Sequence, residues 1–244
     1  NVTHPLNFMS IDLKYTVFII DHRDAKDADR IYTLYTEEQG KIRVLGKGVK
    51  KNNAKLAGNL ELITLADVLV AKGKGMGKIT SAIPISMYPS VKKDYDLSHQ
   101  ALDAFKKIDQ LIQGEERDSG VFQLIRAYLD NLERIAVTGS QLEKAKLINW
   151  AFFIQLLNQL GYRIEANKCV ACGKKIGPQG NYFSFSTWGI ACPDCVPKDE
   201  AKIHLDSAEI KFIRLALTNK LENMIKIQLD SKSIKNLELI MEKI

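Results

Sequence analysis

Four cysteines are the residues best suited to chemistry in this 244-residue chain, and all of them fall between positions 169 and 195. Cys169 and Cys172 form one CxxC pair, and Cys192 and Cys195 form a second. Two residues between cysteines allow a tight turn to direct both thiolates at one ion, and two such turns complete a tetrahedron of sulfur ligands. The spacing therefore predicts one Zn²⁺ ion, with a redox pair or buried free thiols as the alternatives.

This zinc ion is expected to be structural. A catalytic zinc keeps one coordination position open for water, whereas four thiolates close the shell. Zinc deaminases also carry a His-x-Glu motif, and none of the four histidines begins one. We therefore expect that the chain is not an enzyme, although a zinc-dependent nucleic-acid enzyme is kept as a rival hypothesis.

A purely basic segment, "GKIRVLGKGVKKNNAKLAG" from Gly40 to Gly58, is the second candidate site. It contains six cations and no acidic residue. On a strand over "KIRVLG", Lys41 and Arg43 would share one face while Ile42 and Val44 occupy the other. The later lysines would continue into a flexible loop. Such a concentrated charge favours contact with a nucleic-acid backbone, and a plain solvated surface is the alternative.

The glycine-rich segment "GKGMGK" at 73–78 resembles a phosphate-binding loop only superficially. It lacks the spacing and the Lys-Ser/Thr ending of a P-loop, and it lies between two predicted strands. We therefore predict a hairpin turn, from which Lys72 and Lys74 could still contact phosphate.

Composition limits the class of protein. An apolar content of 45% and a charged content of 26% are ordinary for a globular protein. No secretory signal or membrane span is expected, and cysteines spaced for a metal favour a cytoplasmic protein without disulfides. Residues 1–14 are interpreted as an N-terminal extension whose first residues were added to the native chain, with Met9 as the candidate native start.

The basic segment belongs to a region with β-sheet character. Segments at 15–20, 30–36, 41–46, 60–71 and 78–85 are rich in β-branched and aromatic residues and are separated by turn-forming stretches. Five short strands in about seventy residues suggest a small barrel. We assign an OB-fold to residues 15–86, and periodicity alone leaves an SH3-like barrel open.

Helices dominate the rest of the chain, so the fold class is α+β multidomain. A helical domain is predicted for 87–165, and apolar residues recur at helical spacing from Val121 to Ile135. A further helix is expected to begin at Ser140, to end at Gly161 and to lie in the middle of a bundle. The zinc-binding module is assigned to 166–200, where "YFSFSTWGI" has the alternation of a β-ribbon, and C-terminal helices at 201–244 complete the helical domain.

The segment "DADRIYTLYTEEQGKIRVLGKGVKKNNAKLAG" closely resembles the N-terminal domain of the bacterial RecO DNA-repair proteins. The later helices and the CxxC…CxxC insert also resemble RecO, so the resemblance covers about residues 15 to 240. It implies an N-terminal OB-fold, a helical domain and a zinc module. It also implies binding of single- and double-stranded DNA, annealing of complementary strands, and action with RecR to help RecA replace the single-stranded DNA-binding protein (SSB). The C-terminal tail of SSB would bind the helical domain.

The resemblance transfers functional residues by matching motif. Its DNA-contacting candidates on the OB domain are Arg30, Lys41, Arg43, Lys47, Lys50, Lys51 and Lys55. The four cysteines match zinc ligands that some RecO proteins have and others lack. Lysines replace arginines that are common in the family's basic loop, so phosphate contacts would be less bidentate and more purely Coulombic.

The sequence thus predicts a non-enzymatic DNA-repair protein of the RecO type, associated with the nucleoid during repair. A zinc-dependent nucleic-acid enzyme predicts metal-dependent turnover instead. A helical adaptor that binds only proteins predicts that reversing the lysine charges leaves every affinity unchanged.

Overall fold

A computed structural model describes residues 11–51, 54, 56–72, 75–139, 142–196 and 202–243. The chain forms two compact units that divide after Phe122. The first contains the basic segment, and the second contains the four cysteines.

The first unit is built on a closed five-stranded barrel. Its strands are β1 (Ile11–Asp24), β2 (Arg30–Thr36), β3 (Gly40–Gly46), β4 (Leu65–Lys72) and β5 (Lys78–Ser86). They close in the order β1-β2-β3-β5-β4, with β1 pairing to both β2 and β4 and a parallel pairing between β3 and β5. This is the closed, five-stranded topology of the OB-fold, which resolves the choice between barrels that the sequence left open.

The barrel core comes from alternate residues of each strand. Val17, Leu34, Ile42 and Val68 are among its buried side chains. Strand β1 has 14 residues and pairs with both β2 and β4, and a register shift between Ile19 and Asp21 bends it. The sequence placed a turn directly after residue 20, but β1 continues to Asp24, and the turn is confined to residues 25–29.

Two helices follow the barrel within the first unit, α1 (Pro89–Lys93) and α2 (Tyr95–Leu111). The Asp94 carboxylate caps α2 by accepting a hydrogen bond from the Leu97 backbone N–H at 3.1 Å. Leu97, Ala101 and Ile108 lie on the buried face of this helix, and α2 packs against β1. Residue 86, where the sequence ended the OB-fold, is therefore the end of the barrel strands and not of the compact unit.

The remaining helices are α3 (Ser119–Val137), whose first four residues belong to the first unit, α4 (Leu142–Gln159), α5 (Ser207–Thr218), α6 (Leu221–Met224) and α7 (Ser231–Met241). Helix α4 is buried nearly all round and contacts α5, α6 and α7. The Phe152 ring stacks on Tyr128 with centroids 4.4 Å apart. The predicted central helix is confirmed, although its predicted first residue, Ser140, lies outside the described residues. The helix ends at Gln159, two residues before Gly161, which lies in the left-handed region at φ 94°.

A small sheet interrupts the helices and supports the cysteines. It consists of β6 (Asn181–Ser184), β7 (Gly189–Ala191) and β8 (Ile203–Leu205), with β6 in the centre. The β6–β7 hairpin is the predicted ribbon, whereas β8 was not predicted because three residues carry too little periodicity. Within the described ranges, no helix combines the length and the apolar character that crossing a membrane requires.

Candidate metal centre and nucleic-acid interface

The four cysteine sulfurs converge on one point, although they come from two separate segments. Cys169, Cys172, Cys192 and Cys195 place their sulfur atoms within 4.8 Å of one another. The Cys172 and Cys192 sulfurs are 3.8 Å apart. A tetrahedron with metal–sulfur bonds of about 2.3 Å has edges of about 3.8 Å, so these residues could hold a metal ion of that geometry.

Each cysteine pair sits on a tight turn. In the first knuckle (residues 168–175), Gly173 donates its backbone N–H to the Cys169 carbonyl at 2.9 Å, and Cys169 donates to the Lys174 carbonyl at 2.8 Å. Gly173 has φ +74°, a left-handed conformation that favours glycine. The second pair follows β7 in a single turn of 3₁₀ helix, in which Cys195 donates to the Cys192 carbonyl at 3.0 Å.

The electrostatics of the cluster also suit a cation. Burial raises the pKa of Cys169, but backbone N–H groups, first that of Cys192 at 3.3 Å, outweigh burial and lower this pKa to about 6. Hydrogen bonding with Cys172, and to a smaller extent with Cys192, raises the pKa of Cys195 to about 12. Without an ion, one thiolate therefore opposes the ionisation of its neighbours, whereas a divalent cation stabilises four thiolates together.

On the barrel, β3 separates its residues by face as predicted. Ile42 and Val44 are buried in the barrel core, and Arg43 is exposed on the opposite face. Lys41 shares that face but is largely buried. Its ammonium contacts the Asp109 carboxylate at 2.9 Å and the Asp109 carbonyl at 2.6 Å. Only 10% of the Lys41 side chain is exposed, so its charge is neutralised within the unit.

Arg30 and Lys50 share a single acidic partner. The Asp24 carboxylate contacts Arg30 Nε at 3.0 Å and Lys50 Nζ at 2.7 Å. Hydrogen bonds from Lys50 and then Arg30 hold the pKa of Asp24 below its usual value. The three residues together retain one positive charge, with about a third of each cation's side chain exposed.

The start of the basic loop is anchored, which corrects the expectation of a flexible loop. Val49 is 97% buried in the barrel core, and the Lys50 backbone N–H donates to the Ala28 carbonyl at 2.9 Å. Lys47 and Lys51 are exposed on either side of this anchor. No carboxylate in the described part of the chain forms an ion pair with either lysine or with Arg43.

A groove of about 300 Å³ lies beside β3. Arg43 and Lys72 both line it, together with Tyr15 and Met76. The Tyr15 hydroxyl donates to Gln39 Oε1 at 2.8 Å, which holds the ring in place. Tyr15 itself is buried, so this groove offers cations more than aromatic surface. Of the remaining candidates, Lys55 and Lys74 lie outside the described residues.

Sequence reasoning did not identify Asp109 and Asp24, the acids that partner candidate cations. Asp109 is 68 residues from Lys41 along the chain, and Asp24 is 26 residues from Lys50. Ion pairs over such separations depend on tertiary packing and leave no local motif.

Family models match both the barrel region and the cysteine-containing region of the chain. Residues 106–244 match the family model for the recombination protein O C terminus, and residues 9–88 match that for its N terminus. The chain belongs to the RecO family.

Individual RecO proteins support this assignment. The DNA repair protein RecO of Dehalococcoides mccartyi is 28% identical over 228 residues, covering 93% of this chain and 87% of that protein. A Roseiflexus RecO is 30% identical over 204 residues, covering 84% of this chain and 69% of that protein. The resemblance predicted from the sequence is confirmed. RecO proteins are recombination mediators without known catalytic activity.

Proposed function

We propose that this RecO protein binds single-stranded DNA along the exposed β3 face of its barrel. Arg43, Lys47, Lys51 and Lys72 would contact the phosphates. The supporting observation is that these exposed cations form no ion pair with any described carboxylate. Arg43 and Lys72 also meet at one groove. Lys50 and Arg30 would contribute less because Asp24 already neutralises part of their charge.

Binding of this kind would be strong at low salt and nearly independent of base sequence. Lysine ammonium groups act as point charges, and contacts to phosphate carry no sequence information. By neutralising the backbone, the protein would lower the repulsion between complementary single strands and promote their annealing. Double-stranded DNA would bind through the same Coulombic attraction.

The four cysteines would hold one Zn²⁺ ion with a structural role. Thiolate ligands and tetrahedral spacing suit zinc, and a closed four-sulfur shell has no position for a reacting water. The ion would join the first knuckle to the turn after β7 and so contribute to the stability of the second unit.

The proposed partners are RecR, the SSB tail and, indirectly, RecA. A groove of about 360 Å³ in the second unit is lined by three cations, Arg134, Lys144 and Lys226, by the partly exposed Ile225 and by one acid, Glu222. An acidic tail with apolar side chains requires both cations and apolar surface. We therefore propose this groove as the SSB-tail site, through which the protein would be delivered to SSB-covered DNA and, with RecR, help to load RecA.

The barrel proposal is tested by the salt dependence of single-stranded DNA affinity. A Lys47→Glu, Lys51→Glu variant is compared with a Lys93→Glu, Lys106→Glu control, which changes the same net charge on exposed positions of α1 and α2. Each lost phosphate contact should reduce the magnitude of the log–log slope by about 0.7, so the loop variant should lose about 1.4. The control should keep the wild-type slope.

Equal slopes for wild type and the folded loop variant would reject DNA binding at the loop. If no variant changed DNA affinity while SSB-tail affinity fell with Lys144→Glu, Lys226→Glu, the chain would be a protein adaptor. Zinc-dependent turnover of DNA would instead favour the enzyme hypothesis.

A further inference from the structure

Two lysines lie directly opposite each other on the first knuckle. Lys168 and Lys175 form an antiparallel β-bridge. The flanking hydrogen bonds run from Cys169 N–H to the Lys174 carbonyl at 2.8 Å and from Ile176 N–H to the Asn167 carbonyl at 2.9 Å. This pattern marks a non-hydrogen-bonded pair, in which the two side chains leave the same face at their shortest separation.

Like charges in this arrangement repel each other. Both side chains are exposed, as is that of the neighbouring Lys174. Among the described residues, none of the three lysines forms an ion pair or a side-chain hydrogen bond, including one to a cysteine sulfur. They therefore do not act as hydrogen-bonding partners of the thiolates.

The acid near this cluster is already engaged. Glu165 Oε1 accepts hydrogen bonds from the backbone N–H groups of Asn167 at 2.6 Å and Lys168 at 3.1 Å. These bonds, first that of Asn167, lower the pKa of Glu165, with a smaller Coulombic contribution from Lys168. The Glu165 carboxylate thus stabilises the chain before the knuckle through backbone hydrogen bonds.

An exposed aromatic ring and a further cation, Tyr162 and Arg163, precede Lys168 by six and five residues. Glu165 donates its backbone N–H to the Trp188 carbonyl at 3.1 Å, and the Trp188 ring packs on Tyr162 with centroids 4.9 Å apart. Tyr162 is 41% exposed. Arg163 is exposed with φ +47°, a left-handed conformation that is uncommon for arginine. Cations beside an exposed aromatic face are the composition of surfaces that bind single strands.

We propose that the first knuckle, together with the preceding Tyr162 and Arg163, forms a second binding surface for single-stranded nucleic acid. Lys168, Lys175 and Arg163 contact the backbone, and Tyr162 stacks on a base. This inference rests on the proposed function, in which the barrel binds one strand. A chain with two such surfaces holds two strands at once, which is what annealing requires.

The test compares full-length, zinc-loaded variants with unchanged metal content. Lys168→Gln, Lys175→Gln removes both cations at exposed positions, and its urea unfolding is compared with that of wild type to show that the fold is kept. Lys211→Gln, Lys235→Gln removes two exposed charges from α5 and α7 as the matched control. The knuckle variant should reduce the salt slope of single-stranded DNA binding by about 1.4, and the control should leave the slope unchanged.

Tyr162 provides an independent second measurement. Tyr162→Ala should weaken binding by about fivefold or more without changing the salt slope, because stacking releases no counterions. Tyr162→Phe keeps the ring and should bind like wild type.

The outcomes separate the two proposals. If the barrel variant changes the slope while the knuckle and Tyr162 variants behave like their controls, the second surface is rejected and the barrel proposal stands. If the knuckle variant changes the slope and the barrel variant does not, the second surface is supported and the barrel proposal fails. Additive losses in a combined variant, with a slower annealing rate, support both.

Discussion

The metal centre and the β3 face of the barrel organise clusters of like groups in opposite ways. Four cysteine sulfurs from two turns converge to within 4.8 Å. The barrel cations diverge: Lys41 turns to Asp109, Lys50 and Arg30 share Asp24, and Arg43 and Lys47 remain exposed. Convergent groups suit one small ion, whereas dispersed charges suit an extended polyanion.

This difference has consequences for energetics. A closed metal site contributes to the free energy of folding, because the metal-binding arrangement does not persist in the unfolded chain. A face of exposed cations contributes little to stability and instead sets the salt dependence of binding. Substitutions in the two regions should therefore affect different observables.

The largest effect is expected at the metal centre. Cys169→Ser or Cys192→Ser should abolish metal binding and lower the free energy of unfolding by several kcal/mol, a fraction of the about 10–16 kcal/mol that zinc supplies in small zinc domains. Metal analysis and urea unfolding measure both quantities. Asp194→Asn, an exposed substitution between the second pair of cysteines, is the control and should change neither. A metal-free variant with wild-type stability would contradict the structural role.

An intermediate effect is expected at Lys41, because its charge is neutralised by an internal ion pair whereas Arg43 and Lys47 are exposed. Lys41→Met should lower the free energy of unfolding by about 2 kcal/mol, because it leaves the Asp109 carboxylate without its partner. Its effect on the DNA salt slope should be small.

Lys47→Met is the same substitution at an exposed lysine that forms no ion pair with any described carboxylate, and it should affect DNA binding instead of stability. It should leave stability unchanged and reduce the slope by about 0.7. If Lys41→Met reduced the slope while stability stayed the same, the assignment of Lys41 to an internal ion pair would be wrong.

The smallest effect is expected at Asp24. Its pKa is lower in the folded protein than in the unfolded chain, so its stabilising contribution is present above about pH 4 and is lost as pH falls through the lowered value. Asp24→Asn should remove this acid-side dependence from the free energy of unfolding. It should also free one further positive charge on Arg30 and Lys50 for phosphate, so the DNA salt slope should steepen by about 0.7. A slope equal to or shallower than that of wild type would exclude both residues from the interface.

The barrel and the cysteine cluster were predictable because their signals are local. The bounds of β2 follow from the β-branched and aromatic residues of "RIYTLYT", and the cysteine spacing predicted the convergence of four sulfurs. The long burial of α4 follows from its nearly uniform apolar composition.

The parts that could not be predicted depend on tertiary packing. The partnership of Lys41 with α2, the anchoring of the basic loop by Val49 and the short strand β8 have no periodic signal. Such contacts decide which cations remain available to DNA. The run of basic residues therefore predicted the basic face of the barrel but not which of its cations are exposed and which are paired.

Photo-crosslinking of a single-stranded oligonucleotide to the full chain tests the central claim most directly. With photoreactive bases along the strand and peptide mapping of the products, the account predicts crosslinks on the barrel at residues 43–51 and 72–78, which disappear at high salt. Crosslinks confined to the second unit would contradict DNA binding by the barrel, even if overall affinity and annealing were retained.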